Sequence, residues 1–185
     1  MSDQSNLLNW VPAIAAWIGA FFAYLNARRS NRALRLTEQQ EERRKPNLVL
    51  YLQGGYLCKT DEERVYMFLL SVSNLSDTDN AVARNDLRIE YRTAFNFSAT
   101  VDIPSVSQGI DIFGGESHST LETGVKIEAH QTVVGKVFFR LNKAMLQDCA
   151  VDSYIIVVTD THGKRTSVAT SLVQEVFDET EIEKG

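Results

Sequence analysis

A chain of 185 residues with 44% hydrophobic and 23% charged residues is long enough for one globular domain plus an attachment. Its two cysteines, Cys58 and Cys149, lie far apart without C-x-x-C spacing, which excludes a disulfide scaffold and fits a reducing compartment. The net charge of −5 is uneven: residues 1–25 carry Asp3 alone, residues 26–45 carry a surplus of four positive charges, and the remainder is left with −8. Phosphate binding needs a basic face, so no nucleic acid is expected as a partner of that acidic body.

Residues 1–6 read as a short tail. Residues 7–27 then form an apolar stretch with no charge between Trp10 and Leu25. At 1.5 Å per residue it measures about 31 Å as a helix, against a hydrocarbon core of about 30 Å. Trp10 and Tyr24 fall near its ends, where aromatic side chains favour a membrane interface. The basic residues all follow the stretch, so a cleaved signal peptide fits poorly. A buried helix of a soluble protein is the plainer alternative. The reading preferred here is a single transmembrane helix of a bacterial-type signal anchor, in contact with membrane lipid through residues 7–27.

Arg28, Arg29, Arg32 and Arg35 come directly after it. Basic residues close to a span favour the cytoplasmic side. The expected topology is therefore single-pass in the inner (plasma) membrane, N-terminus out and C-terminal domain in the cytoplasm. The same arginines are candidates for contact with anionic lipid. Ala15, Gly19, Ala23 and Ala27 recur every four residues and so share one helix face. A face of small residues lets helices approach closely in lipid, which leaves a homo-oligomer open beside a chance stripe. Residues 28–45 lack Gly and Pro and read as a basic helical stalk, stopped by Pro46.

From residue 46 to 177 the period changes to that of strands. Leu48, Leu50 and Leu52 alternate with other residues, and Val65–Val72 is nearly all apolar, as in a central strand. Leu87–Arg92 and the segment FNFSATVDI, Phe95–Ile103, alternate cleanly. Further candidates are Val125–Ala129, Thr132–Leu141, Tyr154–Asp160 and Arg165–Leu172. THGK at 161–164 looks like a hairpin turn with Gly163 at positive φ, and Asn142–Val151 like a short helical turn. About eight strands without long helices predict an all-β antiparallel sandwich of the immunoglobulin or fibronectin type III kind. Residues 178–185 form an acidic tail.

The segment Pro104–Gly124 is long for a loop in a compact domain. It offers Ile110, Ile112, Phe113, Glu116 and His118 as a candidate interaction loop, or alternatively a short edge strand. His118, His130 and His162 have no second ligand at zinc spacing. Asp77, Asp79 and Asn80 are oxygen donors in one loop, but an Asx turn explains them without calcium. Asn74-Leu75-Ser76 and Asn96-Phe97-Ser98 match a glycosylation sequon but read as turn and strand residues. No nucleophile elbow or phosphate loop is present. No catalytic residue, metal or cofactor is therefore implied. The expected role is a non-catalytic interaction module for an unidentified protein partner. A membrane effector or assembly subunit oligomerising through its helix is the alternative, and an enzyme with an unrecognised site the third choice.

Overall fold

The computed structural model describes residues 4–60, 62–107 and 119–176, with side chains described from residue 16 onward. The chain divides into two units, Met1–Arg44 and Lys45–Gly185.

The first unit is one helix, α1 (Gln4–Arg44). Its strong helix formers carry it without a break to the residues before Pro46. The transmembrane expectation is corrected here: among the described residues no helix is long and apolar enough to cross a membrane. From Ala16, where the described side chains begin, the uncharged stretch runs to Ala27 and reaches only about 18 Å along the axis. A span needs about 20 predominantly apolar residues, and that many counted from Ala16 takes in Arg28, Arg29, Arg32 and Arg35.

The second unit is β-rich. Its nine described strands are β1 (Leu48–Lys59), β2 (Glu63–Asn74), β3 (Asn80–Arg92), β4 (Ser98–Pro104), β5 (Lys126–Ile127), β6 (Thr132–Asn142), β7 (Ala150–Asp160), β8 (Arg165–Thr170) and β9 (Gln174–Val176). One sheet runs β6-β2-β1-β9 and the other β4-β3-β7-β8, with β5 paired to β3. All pairs are antiparallel except β1 with β9. The two sheets share one core. Phe68 and Phe139 of the first meet edge-on at 6.1 Å, and Tyr66 lies 5.5 Å from Tyr154 of the second. Each fully buried aromatic or aliphatic side chain of this kind contributes about 1.5–3 kcal/mol.

Local sequence explains the register. Leu48, Leu50 and Leu52 point inward until Gln53, where β1 gains one unpaired residue against β2. The bulge shifts the phase, so that Gly55 and Leu57 become the inward positions. Phe68 then lies across Gly55, where a Cβ would meet its ring at 2.9 Å. The β2 run is buried on both faces, as its continuous apolar character predicts.

Three strand expectations shift. The strand expected over Phe95–Ile103 begins only at Ser98, and Phe95 and Phe97 sit in the preceding turn. β3 begins at Asn80, seven residues before Leu87, through a stretch whose Arg84, Asn85 and Asp86 hide its periodicity. β9 is too short to leave a pattern and forms by pairing with β1. The expected helical turn is a four-residue 3-10 turn, Lys143–Leu146, capped by the Asn142 side chain.

Candidate interaction surface

Strand register brings several connections to one pole of the body. β1, β3 and β6 end there, and β2, β4 and β7 begin there. The β3–β4 turn is held by its own backbone. Thr93 N–H donates to Phe97 O at 3.0 Å, Asn96 N–H donates to Thr93 O at 2.8 Å, and Phe97 N–H donates to Thr93 Oγ1 at 3.3 Å. Asn96 takes φ of 63°, a conformation that Asn tolerates better than most residues. This fixed turn presents Phe95 at 85% exposure and Phe97 at 71%. Met145 of the 3-10 turn and Leu172 after β8 are also exposed at this pole. Leu172 is held by Thr170, whose Oγ1 donates to Leu172 O at 3.0 Å. A phenyl ring left in water forgoes about 1.5–3 kcal/mol of burial, so the two rings, with Met145 and Leu172 exposed at the same pole, offer apolar side chains suited to a partner.

The outer face of the second sheet carries ion pairs rather than apolar groups. Arg88 donates from both Nε and an Nη to Asp102, at 2.8 and 3.0 Å. Arg92 forks onto Asp152 at 2.7–3.0 Å. The hydrogen bond from Arg88 holds the Asp102 carboxyl below the usual carboxylate range.

Beneath the apolar pole two tyrosines meet in the core. Tyr66 is fully buried, and Arg64 and Tyr154 are the polar groups that act on its hydroxyl. Burial pushes the Tyr66 phenol up to about 12, with Tyr154 adding to the effect. Arg64 reaches over it to Leu146 O at 3.1 Å and forms one wall of an open cleft of about 660 Å³ with Glu62, Lys143 and Asp148. Because the folded phenol is raised above its unfolded value near 10, its stabilising contribution is intact below about pH 10 and is lost as pH rises towards 12. We expect one tyrosine to ionise last in an ultraviolet titration, and Tyr66→Phe to remove that step. The variant should also flatten the alkaline decline in stability by about 3 kcal/mol.

At the opposite pole the polar residues hold loops together. Asn74 is fully buried and its amide closes the β2–β3 connection. The Asp160 carboxylate accepts from His162 N–H, Lys164 N–H and Asn80 Nδ2 at 2.8–3.0 Å. Gly163 at φ of 79° completes that hairpin. Asp77 meets His130 Nε2 at 2.9 Å and Asp79 meets Lys126 Nζ at 2.7 Å. The three oxygen-bearing residues at 77, 79 and 80 are thus directed to separate protein partners, and the hydrogen bond from Lys126 lowers the Asp79 carboxyl.

The residues singled out from sequence are dispersed. Gly19, Ala23 and Ala27 lie along α1, with open space around a Cβ placed on Gly19; the Ala15 side chain lies outside the described ones. Arg28, Arg29, Arg32 and Arg35 are exposed on the same helix. Ile110, Ile112, Phe113, Glu116 and His118 lie outside the described residues. The two ends of their segment are described, and both dock on the β6 edge. Val106 N–H donates to Phe138 O, Leu121 N–H donates to Lys136 O, and Lys136 N–H donates to Ser119 O, at 2.8–3.0 Å. Phe95 and Phe97 escaped the sequence reading because strand alternation runs through them. The signal available was the turn-forming pair Thr93 and Asn96 around them.

No protein-family model matches the chain, and no curated protein matches it at a significant level. Among solved structures it is similar to a Bordetella pertussis protein provisionally assigned as ApaA, at 9% identity and a TM-score of 0.34 over 70% of this chain and 94% of that one. It is similar to ycdA, a candidate lipoprotein of Bacillus subtilis, at 12% identity and a TM-score of 0.40 over 67% of this chain and 36% of that one. A protein from Archaeoglobus fulgidus aligns at 13% identity and a TM-score of 0.35, over 68% of this chain and 95% of that one. Likeness at these levels carries no argument about activity, and the functional reading rests on this chain's own surface.

Proposed function

We propose that the β-rich unit is a non-catalytic protein-interaction module, joined in sequence to a long helix, and that it meets its partner through the pole bearing Phe95, Phe97, Met145 and Leu172. The observation that carries this reading is the Phe95–Phe97 turn. Two phenyl rings stand in solvent on a backbone fixed by three hydrogen bonds. A preordered aromatic anchor loses little conformational entropy on binding, and such anchors dominate interface energetics. The ion pair at the start of the turn, Arg92 with Asp152, supplies a polar rim of the kind usual around an apolar contact.

Affinity capture with the full chain tests this. Phe95→Ser combined with Leu172→Ser leaves the core intact, since both side chains are exposed. The double variant should lose at least tenfold of the proteins that the parent retains. An unchanged set of captured proteins would remove the reading.

A further inference from the structure

The β4 strand is one edge of the second sheet, with β8 at the other. Thr93 N–H bonds Phe97 O, and Ser105 N–H bonds Asn85 O. Bonding partners alternate along an antiparallel pair, so residues 97, 99, 101, 103 and 105 turn their backbone groups towards β3. Ser98, Thr100 and Asp102 therefore turn theirs outward, and among the described residues none of these backbone groups has a partner. Pro104 occupies the next outward position, where its missing N–H costs no ladder bond.

We infer that the β4 edge binds the β4 edge of a second copy of this chain, antiparallel about a two-fold axis at Thr100. This goes beyond the reading of the aromatic pole as a contact surface, with which it shares Phe97. In that register Thr100 faces Thr100 of the other copy, and Ser98 faces Asp102 in both directions. Every outward N–H of the three residues finds a carbonyl, giving six ladder bonds, and no two like charges stand opposite. A register centred on Asp102 would oppose two carboxylates, which is unfavourable. One centred on Ala99 would need Asn96 to be extended, which its φ of 63° forbids. One centred on Val101 sets Phe97 against Ser105. The Thr100 register instead lays each exposed Phe97 opposite Ile103 and each Ala99 opposite Val101, on the side continuous with the core. It joins two five-stranded sheets into one of ten and removes an open edge that otherwise invites indiscriminate pairing.

The test uses the full chain carrying Cys149→Ser, which removes the half-buried thiol. Thr100→Cys in this background should form a cross-linked homodimer under mild oxidation, and Ser167→Cys, exposed on β8, should not. Thr100→Pro deletes an outward N–H without touching the β3 ladder. It should weaken self-association measured by sedimentation at least tenfold while keeping the parent's circular-dichroism spectrum. Absence of the Thr100→Cys cross-link, or equal cross-linking through Ser167→Cys, would overturn the inference. Phe95-dependent capture of a different protein without any cross-link would overturn the inference alone and leave the interaction reading standing.

Discussion

Asn74→Ala is expected to destabilise the β-rich unit by about 3–5 kcal/mol, a loss of roughly 10–15 °C in melting temperature. Asn74 sits at the end of β2 with no solvent exposure. Its Nδ2 donates to Thr78 O at 2.8 Å, Ile127 O at 3.1 Å and Glu128 O at 3.2 Å. Its Oδ1 accepts from Ser76 N–H at 3.1 Å and Ser76 Oγ at 2.7 Å. One side chain thus ties the 75–79 loop to the segment leading into β6. Removing it strands several buried groups, each costing about 1–3 kcal/mol, partly offset because Ser76 Oγ also reaches Thr78 O. Thermal melting followed by circular dichroism measures the effect. A loss below about 1 kcal/mol would mean that water replaces the amide, and that the plug is not structural.

Asn74→Asp sharpens the same argument. The carboxylate keeps the acceptor for Ser76 but turns an oxygen towards three carbonyl oxygens. Its folded-state acidity must therefore be weaker than in the unfolded chain. Stability of that variant should fall as pH rises through the unfolded carboxyl range and recover towards acid, the reverse of a salt-bridged aspartate. The burial also explains why the sequon at Asn74 describes a structural residue: the amide nitrogen is enclosed by carbonyls in the folded chain.

The body was largely legible because its strands obey simple periods. β2 and β7 are internal to their sheets and β6, though an edge strand, is long and apolar, so burial on one or both faces writes itself into the residue types. The 161–164 hairpin was legible because its turn needs a residue at positive φ and Gly163 supplies it. What escaped has a common cause: it is set by partners distant in sequence. β9 exists only by pairing with β1, 118 residues upstream at Tyr56 and Gln174. Alternation carries the eye through Phe95 and Phe97 because a turn at Asn96 interrupts the strand without interrupting the pattern. At the other end of the chain, apolar residues running into arginines satisfied a length criterion for a span. The described helix instead exposes Trp17, Ile18, Phe21 and Phe22 and turns polar at Asn26. The candidate surface was therefore the least legible part. Exposed rings and core rings share one letter, and only the packed structure separates Phe97 from Phe139.

Gly135→Val is expected to cost about 3–4 kcal/mol and to free the segment that joins β4 to β5. Along β6 the inward positions are Val133, Gly135, Val137, Phe139 and Leu141, so Gly135 leaves a gap in an otherwise apolar row. Leu121 fills that gap from the crossing segment and is only 2% exposed. A Cβ on Gly135 would stand 2.9 Å from Leu121 Cβ, 2.9 Å from Ser119 O and 3.0 Å from Leu121 N. Two of these neighbours are backbone atoms that are themselves bonded to Lys136, so they cannot give way cheaply. Asn85 adds a third tie, with Nδ2 donating to Leu121 O at 3.0 Å. Even alanine must either push Leu121 out, forfeiting about 2 kcal/mol of burial, or strain the bridge at Lys136. Urea unfolding should show the midpoint falling with Gly135→Ala and further with Gly135→Val. Limited proteolysis should cut between Ser105 and Thr123 sooner than in the parent. Should Gly135→Ala melt within about 2 °C of the parent, a shift worth well under 1 kcal/mol, the crossing segment would not be held by Leu121. The glycine would then mark only a weak point in β6, and the arrangement at that edge would have to be secured by Val106 and Phe138.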